Sequence, residues 1–196
     1  EAVMSEQTVK EITKALQKSP LFNLSLSSKE LFHSNFLDWL CNNDDYKINM
    51  TDIFRDYLIQ RFDYNILNSE REKKHIDLTI IYNDGSKESK HKQYIEIKIR
   101  SLPNKEQLVK YSKKIKDENA NYLLLSIIRP DFLDDKTPEV QKWKWCNYYD
   151  FVDKIEKNIK PKDTYHRDLI GDYIRFTKQL CKLITCYDIE RYVNKK

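Results

Sequence analysis

Glycine is nearly absent from this sequence, which holds two glycines, Gly85 and Gly171, among 196 residues. Gly-rich phosphate loops need several glycines within a few positions, because their backbone must approach the phosphates closely. The sequence therefore excludes the P-loop, the dinucleotide-binding fingerprint and the GxSxG nucleophile elbow. No HExxH zinc motif occurs among the four histidines, His33, His75, His91 and His166.

Cysteine pairs with the spacing of zinc ligands are also absent. None of the four cysteines forms a CxxC pair, and the closest two, Cys181 and Cys186, are separated by four residues. This usage is typical of buried thiols in a reducing compartment. No apolar run reaches the ~20 residues of a membrane-spanning helix, and the polar N-terminus does not resemble a signal peptide. We therefore expect a cytoplasmic protein without a membrane segment.

Charged residues are plentiful, with 35 basic and 31 acidic side chains and a formal net charge of +4. The length suits one domain over residues 1–196. Hydrophobic periodicity predicts a helical N-terminal part over 5–63, a core over 75–147 and C-terminal helices over 149–193. Within these parts we expect helices at 5–18, 28–42, 51–63, 105–118, 149–159 and 164–193, a loop at 130–141, and strands at 75–82, 93–100, 122–128 and 143–147. This order predicts an α/β fold with a mixed sheet flanked by helices.

A charged constellation follows from the expected hairpin of strands 75–82 and 93–100. If Tyr82 pairs with Gln93, then Asp77 lies opposite Lys98, and Glu96 shares their face of the hairpin. Two carboxylates can hold a hard divalent cation through oxygen ligands, and a neighbouring lysine can stabilise developing negative charge. Metal-assisted phosphodiester hydrolysis uses this combination of groups. A cross-strand salt bridge or a solvated charged face would explain the same residues without catalysis.

Two further polar residues have both a structural and a functional interpretation. Glu30 lies three residues after Ser27, and Gln107 lies three residues after Asn104, so each fits a helix capping box. His33 shares the helix face of Glu30 and either contacts a phosphate or is a structural histidine.

The order of these motifs resembles the PD-(D/E)XK nuclease superfamily. The resemblance rests on Asp77, on Glu96-Ile97-Lys98, on a helical segment at 30–40 (ELFHSNFLDWL) similar to one bacterial branch, and on a Q-x-x-x-Y motif at 107–111. One departure is Ile76, which stands where the family often has proline. The resemblance implies a restriction-endonuclease-like fold over nearly the whole chain.

The resemblance also implies roles for individual residues. Asp77 and Glu96 would bind Mg²⁺ or Mn²⁺ together with the carbonyl of Ile97, and Glu30 would complete or support that metal site. Lys98 would orient the attacking water or stabilise the pentavalent phosphate. Gln107 would shape the edge of the active site, with Tyr111 on the same helix face.

Positive charge is concentrated around these motifs. Residues 87–116 carry ten Lys or Arg and three Glu, a distribution that favours binding of a phosphate backbone. The candidate phosphate contacts are Lys105, Lys110, Lys113, Lys114, Tyr111 and His33, and the alternative is a lysine-rich solvated helix face. The aromatic residues Trp143, Trp145, Tyr148 and Tyr149 fit either base stacking or, more often, a core.

These observations predict a Mg²⁺-dependent nuclease that hydrolyses phosphodiester bonds in DNA. The alternative is a catalytically silent nucleic-acid-binding or interaction module on the same fold. A two-carboxylate glycoside hydrolase is disfavoured by Lys98 and its basic surroundings. The sequence does not decide whether the substrate is DNA or RNA, or whether the enzyme is an endonuclease or an exonuclease. It also leaves open whether the chain forms a homodimer or binds another protein.

Overall fold

A five-stranded mixed sheet organises the chain in the computed structural model, which describes residues 6–27, 30–58, 63–72, 75–86, 89–115, 117 and 119–193. The strands are β1 (Asn65–Arg71), β2 (Leu78–Asn83), β3 (His91–Lys98), β4 (Asn121–Ser126) and β5 (Trp143–Asn147). The α-helices are α1 (Glu6–Lys18), α2 (Pro20–Ser25), α3 (Glu30–Asn42), α4 (Lys47–Arg55), α5 (Lys105–Lys114), α6 (Pro138–Gln141), α7 (Tyr148–Asn158) and α8 (Thr164–Val193).

The sheet changes direction at its central strand. In the order β1-β2-β3-β4-β5, the pairs β1–β2 and β2–β3 are antiparallel, whereas β3–β4 and β4–β5 are parallel. All six residues of β4 are buried, as expected for a strand covered on both faces. The predicted α/β class with a mixed sheet flanked by helices is therefore confirmed.

Each face of the sheet packs against its own hydrophobic cluster. Ile95, Ile97 and Ile99 point to the larger cluster, which contains residues of α3, α4, α7 and α8. Tyr94 points to the smaller cluster, where α5 packs. The alternation along β3 thus leaves Glu96 and Lys98 on the side of α5.

The hairpin register differs from the prediction by two residues. Tyr82 pairs with His91 rather than with Gln93, and Leu78 pairs with Ile95. The side chain of Asp84 accepts a hydrogen bond from Ser89 Oγ and pairs with His91 Nε2. An even shift leaves every side chain on its predicted face.

Four more differences separate the structure from the prediction, three of them in the N-terminal half. The helix expected at 51–63 is α4, Lys47–Arg55, and positions 59–62 lie outside the described residues. Helix α2 was not predicted. It begins at Pro20, and the side chain of Ser19 caps it by accepting a hydrogen bond from Phe22 N at 3.1 Å. Strand β1 was not predicted. The expected loop at 130–141 contains a 3₁₀ turn at Asp131–Asp134 and the short helix α6.

Several aromatic and sulfur side chains belong to the interior. Trp143 is buried and donates its indole N–H to Ser112 Oγ at 2.9 Å, and Tyr148 is fully buried in the larger cluster. The core interpretation of these two aromatics is therefore confirmed. Cys41, Cys146 and Cys181 are buried free thiols. No helix of the described segments has both the length and the apolar content to cross a membrane.

Candidate active site

Glu96 and Lys98 form a buried ion pair near the carboxyl end of β3. Residues two apart on a strand share a face, and Lys98 Nζ lies 2.7 Å from Glu96 Oε1. The side chain of Glu96 is 1% exposed and that of Lys98 is 14% exposed. The interpretation of these residues as a solvated charged face is therefore wrong.

Asp77 meets the same strand from the residue before β2. Its Oδ2 accepts a hydrogen bond from the backbone N–H of Ile97 at 2.8 Å. The register shift places Asp77 beside Glu96 and Ile97, so the predicted position of Asp77 opposite Lys98 is wrong. Asp77, Glu96 and Lys98 nevertheless come together, because the shift keeps their common face.

The two carboxyl groups hold their protons more tightly than ordinary acids. Burial and, to a smaller extent, the nearby charge of Asp77 raise the pKa of Glu96 to about 7, although the charge and hydrogen bond of Lys98 act in the opposite direction. Burial also raises the pKa of Asp77, against the hydrogen bond from Ile97 and the charge of Lys98. Burial acts to lower the pKa of Lys98, but the negative charge and hydrogen bond of Glu96 outweigh this effect, and the pKa is raised. A carboxyl group poised near neutrality is typical of a functional site.

Glu30 reaches the end of β3 from the first turn of α3. Its Oε1 accepts from Ser101 Oγ at 2.9 Å, from Ser101 N at 3.1 Å and from Arg100 N at 3.2 Å. Burial opposes ionisation, but these hydrogen bonds, with that of Ser101 the strongest, lower the pKa of Glu30. Ser27 Oγ instead donates to Leu24 O, so the capping-box interpretation of Glu30 does not hold.

Gln107 and Tyr111 form one unit on α5. Asn104 Oδ1 accepts from Gln107 N at 3.0 Å, which confirms Asn104 as the helix cap. The Gln107 side chain does not complete a capping box, because its Nε2 donates to Tyr111 Oη at 2.7 Å. Burial raises the pKa of the Tyr111 hydroxyl, and the negative charges of Glu96 and Asp77 act in the same direction.

His33 does not lie at the site surface, and its predicted phosphate contact is wrong. The ring is fully buried and its Nδ1 lies 2.9 Å from the hydroxyl of Tyr173 on α8. Burial lowers the pKa of His33 to about 3, which keeps the ring neutral near neutral pH. The structural interpretation of this histidine is therefore confirmed.

The four predicted lysines line one concave surface on α5, together with Glu106 and Val109. Lys110, Lys113 and Lys114 are exposed along that surface. Lys105 differs from them, because its Nζ lies 2.6 Å from Asp135 Oδ2 in an ion pair.

Sequence reasoning missed two groups of residues beside the acids. Ser101 and Arg100, which hold Glu30, carry no signal that distinguishes them from other polar residues. Glu72 and His75 line a pocket of about 360 Å³ with Ile76 and Asp77. Both have a left-handed backbone, with φ of 50° and 70°, which is uncommon outside glycine and frequent at functional sites. The sequence signal for this second group was the position of His75, two residues before Asp77.

The donor set fits a magnesium-type ion through two carboxylates. Among the described residues, no group of three or more His, Cys, Asp or Glu side chains is arranged to hold a metal ion. Mg²⁺, however, keeps several waters and often uses one or two carboxylates with substrate phosphates. Glu96 Oε2 is buried and has no hydrogen-bond partner in the described part of the chain. Asp77 and Glu96 therefore fit such an ion, whereas Glu30 Oε1 is already occupied by Arg100 and Ser101.

Comparison of the chain with protein-family models, curated proteins and solved structures gives no match.

Proposed function

We propose that this chain is a metal-dependent nuclease that hydrolyses phosphodiester bonds in DNA. The proposal combines the resemblance of the motifs to PD-(D/E)XK nucleases with the position of Asp77, Glu96 and Lys98. The observation that carries it is the buried pair of Glu96 and Lys98 beside Asp77, in which Glu96 Oε2 has no partner among the described residues. A buried polar atom without a partner is costly, and a bound ion is one of the partners that can offset this cost.

Asp77 and Glu96 would hold Mg²⁺ or Mn²⁺, with the carbonyl of Ile97 as a further oxygen ligand. When bound, the ion supplies Lewis-acid polarisation of the phosphoryl group. Its positive charge would also favour the ionised form of Glu96, whose pKa of about 7 leaves it partly protonated near neutral pH. Glu30 would act by fixing the loop at Arg100 and Ser101, which follows the catalytic strand.

Lys98 would serve the chemical step with its ammonium group. The side chain is held by Glu96 at 2.7 Å and is mostly buried, so its position is fixed before the substrate arrives. A preorganised cation is most useful where negative charge develops, because it needs no reorganisation during the reaction. In this role Lys98 orients the attacking water or stabilises the pentavalent phosphate, and Gln107 with Tyr111 shapes the adjoining edge.

The exposed lysines of α5 would bind the phosphate backbone of DNA. Lys110, Lys113 and Lys114 lie on the helix that carries Gln107 and Tyr111. Phosphate contacts of this kind supply affinity that is independent of sequence and falls with salt. We place the activity in the cytoplasm, where the three buried thiols would stay reduced.

The test is incubation of the purified chain with plasmid, linear and single-stranded DNA and with RNA, in Mg²⁺, Mn²⁺ or EDTA. We expect cleavage of DNA with either metal and none in EDTA. Lys98→Ala and Lys142→Ala, a control outside the site, should be purified in parallel to exclude contaminating nucleases. Equal cleavage by wild type and Lys98→Ala would contradict the proposal.

A silent nucleic-acid-binding module on this fold is the second candidate. It is favoured by the lack, among the described residues, of three acidic, histidine or cysteine side chains arranged around one point. This candidate predicts DNA binding with no cleavage in any metal and no change in affinity on adding Mg²⁺.

A further inference from the structure

An ion pair occupies one end of the lysine-lined surface of α5. Lys105 lies on that surface in the first turn of the helix. Its Nζ lies 2.6 Å from Asp135 Oδ2, and the two side chains are 36% and 45% exposed. Within the described part of the chain, no ion pair is formed by Lys110, Lys113 or Lys114. Lys105 is therefore the lysine of this surface whose charge is already neutralised.

The turn that carries Asp135 is fixed by apolar packing. A 3₁₀ turn spans Asp131–Asp134, and the backbone N–H of Asp135 donates to Phe132 O at 3.1 Å. The side chains of Phe132 and Leu133 pack against the smaller hydrophobic cluster, to which Leu108 of α5 also belongs. This shared cluster holds the turn beside α5, so the carboxylate reaches the first turn of that helix from a fixed position.

The charges of the turn leave Asp135 as its acid that pairs with α5. Arg129 donates to both oxygens of Asp134, from Nη1 to Oδ2 at 2.9 Å and from Nη2 to Oδ1 at 2.7 Å. This bidentate pairing holds the Asp134 carboxylate on the guanidinium. Asp131 is exposed at the other end of the turn. The adjoining acids therefore do not replace Asp135 in its contact with the helix.

A carboxylate and a DNA phosphate compete for the same ammonium group. Lysine binds either anion as a point charge, so it does not distinguish them by geometry. A lysine that contacts DNA gains affinity because counterions leave the phosphates. That gain is smaller at Lys105, because contact with Asp135 must first be lost. Exposed ion pairs are weak, so a phosphate is able to displace the carboxylate at a modest cost.

We propose that Asp135 competes with the DNA backbone for Lys105 and thereby limits the affinity of the α5 surface for nucleic acid. The inference rests on the proposed function, and it adds a residue that sets how tightly the substrate is held. A DNA strand gains the full contribution of Lys110, Lys113 and Lys114. It gains a contact with Lys105 only by displacing Asp135.

Fluorescence anisotropy of a labelled single-stranded DNA, measured in EDTA over a series of salt concentrations, tests this competition without cleavage. Asp135→Asn should bind about two- to fivefold more tightly than wild type, as expected from the strength of an exposed ion pair. Its salt dependence should steepen by about 0.7, the contribution of one further phosphate contact. Asp131→Asn removes an exposed acid from the same turn and should stay close to wild type. Lys105→Ala should weaken binding more in the Asp135→Asn background than in wild type.

The outcomes separate this inference from the nuclease proposal. Equal affinity and equal salt dependence of Asp135→Asn and Asp131→Asn would overturn the competition, as would additive effects of Lys105→Ala and Asp135→Asn. Absence of DNA binding by wild type and every variant would overturn the competition together with the proposed function. Non-additive effects in a protein that binds DNA but never cleaves it support the competition and overturn the nuclease activity alone.

Discussion

Glu96→Gln should remove a pH dependence of stability that the buried site imposes on the fold. Glu96 has an ordinary pKa of 4.5, and burial raises it to about 7 in the folded chain. The folded state therefore binds a proton more tightly than the unfolded state between these values. The stabilisation is complete below about pH 4.5 and is lost as the pH rises through about 7. Proton linkage between a pKa of 4.5 in the unfolded chain and about 7 in the folded chain lowers the free energy of unfolding by about 2.5 kcal/mol from about pH 5 to about pH 8.

Urea denaturation of wild type and Glu96→Gln at these two pH values measures this effect. Other titrating groups contribute to the pH dependence of stability in both proteins. The difference between the pH slopes of wild type and Glu96→Gln therefore isolates the contribution of Glu96. We expect Glu96→Gln to lose about 2.5 kcal/mol less than wild type over the interval. Glu106→Gln, which removes an exposed acid from α5, controls for the loss of one charge. Identical pH slopes for wild type and Glu96→Gln would refute the assignment of a raised pKa to this carboxyl group.

Three further outcomes follow from the site. Asp77→Ala should bind Mg²⁺ or Mn²⁺ much more weakly in calorimetric titration, because one of the two carboxylates is lost; equal metal binding would refute the two-carboxylate site. Lys98→Met, which keeps the apolar stem, should reduce DNA cleavage by roughly 10²–10³-fold, measured as the initial rate on plasmid; normal turnover would show that the ion pair with Glu96 is only structural. Reversal of Lys110, Lys113 and Lys114 to Glu should weaken DNA binding and flatten its salt dependence in a titration series, whereas an unchanged salt slope would mean that the three lysines form a solvated face.

The part of the fold that follows from the sequence is the part with a clear hydrophobic period. The alternation in residues 93–100 predicts the inward isoleucines of β3, and the continuous apolar run at 122–128 predicts the buried strand β4. Strand β1 has no such signal. Its sequence NILNSER buries little besides Ile66 and Ser69, and its pairing is irregular between Ile66 and Asn68. Tertiary pairing with β2 forms this strand where local pattern does not.

In the candidate active site too, the sequence predicts the contacts that follow from a local pattern and not those between distant parts of the chain. The common face of Asp77, Glu96 and Lys98 follows from alternation, which a shift of two residues does not change. The contacts of Glu30 with Ser101 and of His33 with Tyr173 join positions that are 71 and 140 residues apart. Both residues occupy the same face of α3, yet one reaches the site and the other is enclosed by α8. The spacing of residues within a helix does not predict which of the two side chains reaches the site and which is buried, because the packing of distant elements decides it.

The change from antiparallel to parallel pairing at β3 determines the order in which the site can assemble. Asp77 and Ile97 are 20 residues apart and meet in a hairpin, a contact with a short loop to close. Glu30 joins only when α3 docks, and β4 only after the crossover through α5. Local contacts form early in folding, so the two acids are brought together before most of the core exists. Burial raises the pKa of Glu96 more than the charge of Asp77 does, and burial is completed only when the remaining elements dock, so mild acidification should slow unfolding more than it speeds folding.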